Sequence, residues 1–477
     1  MGTEKIVFLP CFNIHIFDIR CRCRLDKTVG LWYKRKREFL GNGADKLESS
    51  EYYRKLLDMA VLAGEIMIRS GAETHRVEDT LQRILRTSNF AHAESFVFTT
   101  GLIVTLSDPA SETLSITQRI SGTSQNLGRV AEVNSVSRNF CDGKITLDEA
   151  IAKLRVIKNK RQYSDLLTVF GIMLASSGFA IVFGGSFLDA LGAIFCGLLL
   201  SVVLLVLGPK IGRTFITSVL GAIVITVGAT TFSYFAGKWT GLAFHSQYMI
   251  VGSMMPLVPG LALTNAIRDT LQGDYISAGS RIIEAFMIAA SVALGVGAGL
   301  SLSGAAGLSS ALNFTFDLSV HDALSFLKAV IFSSLAILGF ALYFEIPKRY
   351  LFPVCVIALV SWAVFLVSDS LGLSSAWASF FAALVSDFLA YFCARALKAP
   401  VILFLLGGIL PLVPGVGIYR AVYNMIYGME SASQVLVETL LITGAIALAI
   451  FVMDTLIDIE KRVRLYFKAR RAFRGKK

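Results

Sequence analysis

Long apolar stretches occupy most of the chain after residue 164 and are separated by short polar segments. Ten of these stretches are close to the roughly 20 residues that a helix needs to cross a bilayer. Their predicted bounds are 166–184, 187–207, 214–236, 246–266, 281–301, 323–344, 350–368, 375–394, 400–420 and 434–456. The pattern therefore predicts an α-helical polytopic membrane protein with ten transmembrane helices.

Residues 49–164 show a different and more polar pattern. Apolar residues first recur at helical spacing, and two β-rich runs then cover 94–107 and 112–121, with a turn predicted between them. Two further helices are predicted near 125–141 and 146–160. This part of the chain is therefore predicted to be a small α+β domain.

Charge divides the chain in the same way. Residues 1–164 carry 25 basic and 19 acidic side chains, residues 165–458 carry 11 and 14, and residues 459–477 carry 9 and 1. Only 17% of all residues are charged, which excludes an ordinary soluble enzyme and a disordered chain. Lys and Arg next to apolar spans usually set the orientation of those spans in the membrane. The basic flanks therefore do not indicate nucleic-acid binding, and no nucleic-acid partner is expected.

Five parts are therefore predicted along the chain. Residues 1–48 fit neither pattern and are predicted to be a poorly ordered extension, which leaves open whether they are translated. Residues 49–164 form the cytoplasmic α+β domain. Residues 165–305 and 306–458 form two membrane halves of five spans each, and residues 459–477 form a basic cytoplasmic tail.

The short connections between the spans predict the orientation in the membrane. Lys and Arg concentrate in every second connection, and cytoplasmic loops are the ones that carry such an excess. The residues on this side are Lys210, Arg213, Arg268, Arg281, Lys348, Arg349, Arg395 and Lys398. Both termini are therefore predicted to be cytoplasmic, and the protein is predicted to be a multi-pass protein of the cell inner membrane.

An internal repeat lies within the apolar region. The sequence Pro256–Gly260 (PLVPG) recurs as Pro411–Gly415, 155 residues later. An odd number of spans per half means that the second copy enters the membrane from the opposite side. The sequence thus predicts two inverted five-helix repeats, an architecture typical of secondary transporters.

Both PLVPG segments are predicted to interrupt a transmembrane helix, because proline removes a backbone hydrogen bond and clashes with the preceding turn. Paired interrupted helices form the solute site in many transporters, although simple packing kinks are the alternative. Asparagine and arginine after the first segment, and tyrosine and arginine after the second, are candidates to guide an anionic carboxylate. The predicted substrate-binding residues are Pro256, Pro259, Gly260, Asn265, Arg268, Pro411, Pro414, Gly415, Tyr419 and Arg420.

Ionisable residues within the spans are candidates for proton coupling, because they are costly in a bilayer and are retained for function. Asp387 lies deepest in its span, and Glu284 and Glu438 occupy near-equivalent positions in the two halves. We predict that Asp387, together with Glu284 or Glu438, couples transport to protons. A structural alternative for Glu284 is an ion pair with Arg281 at i−3.

The densest polar cluster of the α+β domain begins at Gly71 and includes Glu73, Arg76 and Glu78. A solvated, salt-bridged helix start is the simplest interpretation of this motif. No metal or cofactor is expected, because Cys21 and the cysteine two residues later lack a second ligand pair. No phosphate-binding loop and no nucleophile–base pair is present in the sequence, so no enzymatic activity is expected.

The ordered combination of these motifs resembles the threonine/serine exporter family. The Gly71 motif, the first PLVPG segment with Asn265–Asp269, and the second PLVPG segment with Tyr419 carry the resemblance, which covers about residues 50–456. It implies export of small amino acids such as threonine and serine, driven by the proton motive force. Related two-chain proteins imply a dicarboxylate (succinate) exporter as an alternative.

The sequence also leaves open two functions other than transport. The protein would then be a membrane-anchored hydrolase or a sensor. Ten spans with a repeated interrupted helix exceed what an anchor requires, which favours the exporter. The predicted partners are a small-molecule substrate, protons and the lipid bilayer. A homo-oligomer is also plausible from the glycine-rich stretch Gly295–Gly299, although small residues serve packing within one chain equally well.

Overall fold

A computed structural model describes residues 43–108, 111–120, 122, 125–308, 322–426 and 431–474. By its internal contacts the chain divides into two units, residues 1–58 and residues 59–477. The first helix is α1 (Gly43–Arg69). Residues 43–48, predicted as part of the extension, therefore belong to a helix, whereas residues 1–42 lie outside the described residues.

Helices and one sheet make up the part before the long apolar helices. Gly71, with φ of 84°, ends α1 through the left-handed conformation that glycine adopts without strain. The bounds that follow are α2 (Thr74–Leu85), β1 (His92–Phe98), β2 (Gly101–Asp108), β3 (Ser111–Arg119), α3 (Leu127–Cys141) and α4 (Leu147–Lys158). Thr146 and Glu149 form the capping box that the sequence predicts at the start of α4.

The strands form one antiparallel sheet in the order β1–β2–β3. The first predicted β-rich run is wrong as a single strand, because it contains a hairpin in which Phe98 pairs with Gly101. A two-residue Thr-Thr connection lacks the Gly or Asn signal by which such turns are recognised. Leu102, Val104 and Leu106 are buried on one face of β2. Residues 109 and 110, in the turn predicted between the two β-rich runs, lie outside the described residues.

Long apolar helices occupy the rest of the described chain. Eight are long and apolar enough to cross a bilayer. They are α5 (Asp165–Val182), α6 (Phe187–Ile211), α7 (Thr214–Thr240), α10 (Tyr275–Ala305), α11 (Ala323–Tyr343), α12 (Lys348–Ser370), α13 (Ser375–Leu397) and α16 (Ala432–Arg474). The protein is therefore a polytopic helical membrane protein, and the coarse fold class predicted from the pattern is confirmed.

Two further regions contain shorter helices at the PLVPG segments. Helix α8 (Ser246–Met254) is followed by a short 3₁₀ turn and by α9 (Gly260–Gln272), and the pair bends by 47°. Counted as one interrupted span, this pair makes a ninth candidate. The ninth predicted span, 400–420, is represented by α14 (Ile402–Ile409) and α15 (Gly415–Ile426), so the number of ten spans stays a prediction.

Helix packing relates the two halves of the apolar region. Helices α5 and α11, the first of each half, pack against each other across small residues. A Cβ atom at Gly339 would lie 2.4 Å from the backbone nitrogen of Ala175, so only glycine permits this approach. Close backbone contact through small residues is the usual means of helix association in a bilayer.

The glycine-rich stretch of α10 packs within the chain. Cβ atoms at Gly295 and Gly299 would lie 2.6 Å from the Cβ of Ala222 and 2.7 Å from the Cβ of Thr226, both on α7. These glycines thus allow the close contact between α7 and α10. This agrees with the alternative that the small residues serve packing within one chain. A homo-oligomer stays a prediction.

Candidate functional site

The two PLVPG segments contact each other through reciprocal pairs. A Cβ atom at Gly260 would lie 2.0 Å from Cγ1 of Val413, and one at Gly415 would lie 2.5 Å from Cγ1 of Val258. Each glycine therefore accepts the valine of the other segment. The contact excludes any side chain at either glycine, since distances under about 3 Å are far inside van der Waals contact.

A helix begins at each of these glycines. Helix α9 starts at Gly260, and helix α15 starts at Gly415. The first backbone N–H groups of a helix have no acceptor within that helix, and its dipole places partial positive charge at the same end. The interrupted helices thus bring two anion-attracting helix starts together in the apolar region.

A cavity of about 680 Å³ extends along the first of these breaks. Its wall includes the whole first PLVPG segment and, from the second, Val413 and Gly415. Glu284 of α10 also lines it. The other predicted residues, among them Asn265, Arg268 and Tyr419, are not part of this wall.

The cavity wall also contains charged residues from the segment before α5 and from the start of α5. Arg129 and Arg161 contribute positive charge there, and Asp165, which pairs with Arg161, contributes negative charge. Helix α6 forms a π turn (Val203–Leu207) beside this wall, an irregularity that recurs at functional sites. Charged side chains and the two helix starts thus line the same cavity.

A second group of polar residues surrounds Arg268 of α9, which is only 2% exposed. Its Nη1 donates to Oε1 of Glu73 at 2.6 Å, and its Nη2 donates to Oδ2 of Asp454 at 2.5 Å. Asp454 belongs to α16, so one guanidinium joins the segment before α2, helix α9 and helix α16. Charge-assisted hydrogen bonds of this kind are the strongest that side chains form.

Glu73 is buried, and its second carboxylate oxygen accepts from Nε of Arg76 at 2.8 Å. Burial by itself favours the protonated acid, but the charges of Arg268 and Arg76 outweigh it and hold the pKa of Glu73 well below its usual range. His75 lies 3.6 Å from the same carboxylate, and burial lowers the pKa of its imidazole. The motif is therefore a docked ion-pair cluster and not the solvated helix start of the simplest interpretation.

Asp387 of α13 completes this cluster. It is only 1% exposed, and its Oδ2 has no hydrogen-bond partner among the described residues. The charges of Asp454, Arg268, Arg76 and Glu73 all act on it. The structure thus brings together Glu73, Arg76, Arg268 and Asp387, which the sequence assigned to separate roles.

The remaining candidates lie apart from this cluster. Glu284 and Glu438 are both exposed side chains. The alternative for Glu284 is an ion pair with Arg281. In the structure Arg281 is instead paired with Asp269 at 3.0 Å. Tyr419 is fully buried, and the charge of Glu438 acts on Arg420.

Glu78, the last residue of the Gly71 motif, has a local role. Its Oε1 accepts from the backbone N–H of Val97 at 3.0 Å, and burial raises the pKa of its carboxyl. It therefore fixes β1 against α2.

Two acidic residues with buried or part-buried polar partners escaped the sequence analysis. Asp454 is an acidic residue inside a predicted span, so the rule that singled out Asp387 applies to it as well. Glu345 sits between α11 and α12 with φ of 55°, and its Oε2 accepts from Nδ2 of Asn126 at 2.7 Å and from the backbone N–H of Gln162 at 2.8 Å. Such a conformation is costly for a residue other than glycine and marks a position held by its surroundings.

These features define the class of the protein. Many apolar helices, paired interrupted helices around a cavity, and buried charges within the apolar region are the properties of a multi-pass membrane transporter. Among the described residues no group of three or more His, Cys, Asp or Glu side chains is arranged to hold a metal ion.

Comparison with known families agrees with this class. Two family models of threonine/serine exporters match the chain, one over residues 58–303 and one over residues 329–456. The chain therefore belongs to the threonine/serine exporter family, whose members are transporters and not enzymes.

Curated relatives carry the same description at low identity. A probable threonine/serine exporter of Mycobacterium tuberculosis is 23% identical over 400 residues, which cover 81% of this chain and 72% of the relative. A threonine/serine exporter of Corynebacterium glutamicum is 21% identical over 392 residues, which cover 77% of this chain and 75% of the relative. No solved structure matches the chain significantly.

Proposed function

We propose that the protein is a secondary-active exporter of small amino acids, threonine and serine, driven by the proton motive force. Family membership and the names of both curated relatives support this substrate class. The observation that carries the site is the meeting of two helix starts, at Gly260 and Gly415, beside the cavity.

The substrate carboxylate binds backbone N–H groups in the first turns of these two helices. The N–H of Gly415 is not one of them, because it donates to the carbonyl oxygen of Val413 at 2.8 Å. An amino acid at neutral pH carries one carboxylate, and a helix N-terminus stabilises such an anion without a basic side chain. The prolines on either side, Pro256, Pro259, Pro411 and Pro414, keep the helices interrupted so that these groups stay available. Glu284 on the cavity wall supplies a partner for the substrate ammonium group.

The two membrane halves act as inverted repeats that move relative to each other. The reciprocal Val–Gly contacts support this proposal, because a two-fold relation between the segments requires that each contact occurs twice. Crossed packing supports it as well, since α9 packs on α16 of the other half and α15 packs on α10. Rocking of one half against the other exposes the cavity alternately to the two sides.

Protons couple to this movement through Asp387. A buried carboxylate with an unpaired oxygen is expensive in its charged form, so it gains and loses a proton as its surroundings change. Glu284 and Glu438, which are exposed, are the proposed points of proton entry or exit. In this proposal both termini, the basic tail and the segment before α5 are cytoplasmic and the protein lies in the inner membrane. The distribution of Lys and Arg supports the orientation.

Transport by purified full-length protein in liposomes tests the proposal. A pH gradient is expected to drive the accumulation of labelled threonine and serine, and a protonophore is expected to abolish it. Accumulation of succinate in place of both amino acids would support the dicarboxylate alternative. Absence of transport for every solute would contradict the exporter.

Proline variants test the site within the same assay. Pro259→Ala and Pro414→Ala remove the obstacle to a continuous helix and are expected to reduce threonine transport by about tenfold or more, given a cost of a few kcal/mol per misplaced backbone group. Pro353→Ala, inside the uninterrupted helix α12, is the matched control and is expected to leave transport near the wild-type rate. Equal losses for all three variants would argue against a role of the helix breaks in binding.

A further inference from the structure

We propose that Asp454, Arg268 and Glu73 form, together with Asp387, a switch that holds one proton and couples it to the docking of the Gly71 motif. Asp454 is then a second carboxylate of the coupling site, and Glu73 connects that site to the segment before the membrane helices. The proposal deepens the proton-driven export proposed above and rests on it.

The first argument is the balance of charge. Three carboxylates, those of Glu73, Asp387 and Asp454, face two guanidinium groups, those of Arg268 and Arg76. With all five groups ionised the cluster has a net charge of one negative unit. His75, beside Glu73, does not change this balance because burial lowers the pKa of its imidazole and favours the neutral form. Asp269, which also acts on Glu73 and Arg268, is balanced by its ion pair with Arg281. Because uncompensated charge in an apolar surrounding is costly, the closed cluster is most stable with one bound proton.

The second argument locates the proton. Glu73 has ion pairs with Arg268 and Arg76, and Asp454 has one with Arg268. Asp387, by contrast, has an oxygen without a hydrogen-bond partner in the described part of the chain, and it is almost fully buried. The proton therefore resides on Asp387 in this arrangement.

The third argument concerns access. The side chain of Asp454 is 37% exposed, whereas those of Arg268 and Glu73 are 3% exposed. Asp454 is thus the member through which a proton reaches or leaves Asp387. Further along α16, Glu460 is engaged with Tyr391, Arg395 and Arg464, so it belongs to a separate group.

Loss of the proton changes the partners of Arg268. An ionised Asp387 adds a second negative charge beside Asp454, and Nε of Arg268 is a buried donor without a hydrogen-bond partner among the described residues. Arg268 is then drawn towards the two aspartates, and its hold on Glu73 weakens. Arg268 lies eight residues after Gly260, about 12 Å along α9, so its displacement moves the helix that begins at the substrate site.

The test compares two readouts of the full-length protein in liposomes. Threonine accumulation driven by a pH gradient requires coupling, whereas exchange of labelled for unlabelled threonine at equal pH requires only binding and movement. In Asp454→Asn the ratio of driven accumulation to exchange is expected to fall by about tenfold or more, within the range typical of coupling between sites. Asp369→Asn, at the end of α12 outside the cluster, is the matched control and is expected to keep the wild-type ratio.

The same two readouts are measured for a second variant, Glu73→Gln. Without the Glu73 charge the remaining four groups are neutral with no bound proton, so driven accumulation is expected to fall more than exchange and to lose its dependence on pH. A merely structural role of Glu73 would instead reduce both readouts to the same extent. If Asp454→Asn is not recovered in the membrane, Asp454→Glu replaces it and is expected to shift the pH at which driven accumulation is half-maximal.

The outcomes separate the two proposals. An unchanged ratio in Asp454→Asn and in Glu73→Gln, with active exchange, would overturn the switch and leave the exporter intact. Absence of both exchange and driven accumulation of threonine in the wild-type protein would overturn the proposed function itself.

Discussion

The interrupted helix of each half packs on the last long helix of the other half, and the two contacts differ in chemistry. In the α9–α16 contact, Arg268 is paired with Asp454 in a largely buried position. At the corresponding positions of the 155-residue repeat, α15 and α10 have Tyr423 and Gly299. The second pair of helices therefore lacks, at these positions, the charged residues that pair in the first.

The residues at these positions also differ in their neighbours. Gly299 serves close packing on Thr226 of α7, whereas Asp454 lies beside Asp387 of α13 and reaches Glu73 through Arg268. Similar packing thus supports a tight helix contact on one side and a titratable cluster on the other. The charged contact is also the one on which the Gly71 motif docks, so the two properties occur together.

Removal of the central guanidinium is expected to have the largest effect. Arg268→Gln leaves the buried carboxylate of Glu73 without its main partner, and breaking a buried pair in this way typically costs about 3–5 kcal/mol. Arg395→Gln removes an exposed pair at 3.9 Å from Glu460, where about 1 kcal/mol or less is expected. Thermal unfolding of both variants in detergent checks the contrast, and equal melting temperatures would contradict it.

A methyl group at the PLVPG crossing is expected to have the next largest effect. In Gly260→Ala the new Cβ lies 2.0 Å from Val413, and overpacking of this kind costs about 1–3 kcal/mol. Gly279→Ala in α10 is the matched control, because a Cβ there meets no atom within 4 Å. Threonine transport is expected to fall only in Gly260→Ala, and a similar rate in both variants would show that the segments separate easily.

Acid is expected to weaken the charged contact selectively. The pKa of Glu73 is lower in the folded protein than in the unfolded chain, so its contribution to stability is present above the ordinary carboxyl pKa of about 4.3 and is lost as the pH falls towards the folded value. Wild type is therefore expected to melt higher than Glu73→Gln at pH 7, with a difference that shrinks below about pH 4. A difference independent of pH would exclude the ion pair as its source.

Substitution of the exposed carboxylate of Glu438 is expected to have the smallest effect. Glu438→Gln removes a charge that is not enclosed by the protein, so pH-driven threonine transport is expected to fall less than in Asp387→Asn. Proton-driven transport that survives in Asp387→Asn but is lost in Glu438→Gln would move the coupling site away from the Arg268 cluster. Initial rates at several pH gradients distinguish these cases.

Much of the fold follows from local pattern. Apolar length predicts the eight long helices, the prolines at residues 256 and 411 predict the interruptions that follow α8 and α14, and Thr146 with Glu149 predicts the start of α4. The hairpin between β1 and β2 was not predictable in this way, because its Thr-Thr turn carries no conformational signal. Local signals suffice where a residue's own covalent geometry decides the structure.

The sequence by itself determined that the chain is a multi-pass helical membrane protein with two related PLVPG segments and an acidic residue, Asp387, deep in a span. Only the tertiary structure decided that Glu73 and Asp454, 381 positions apart, share one guanidinium, and that each PLVPG glycine receives the valine of the other segment. The reason is that spans and helix breaks depend on neighbours along the chain, whereas an ion pair depends on which helices pack together. No periodicity in the sequence specifies that pairing.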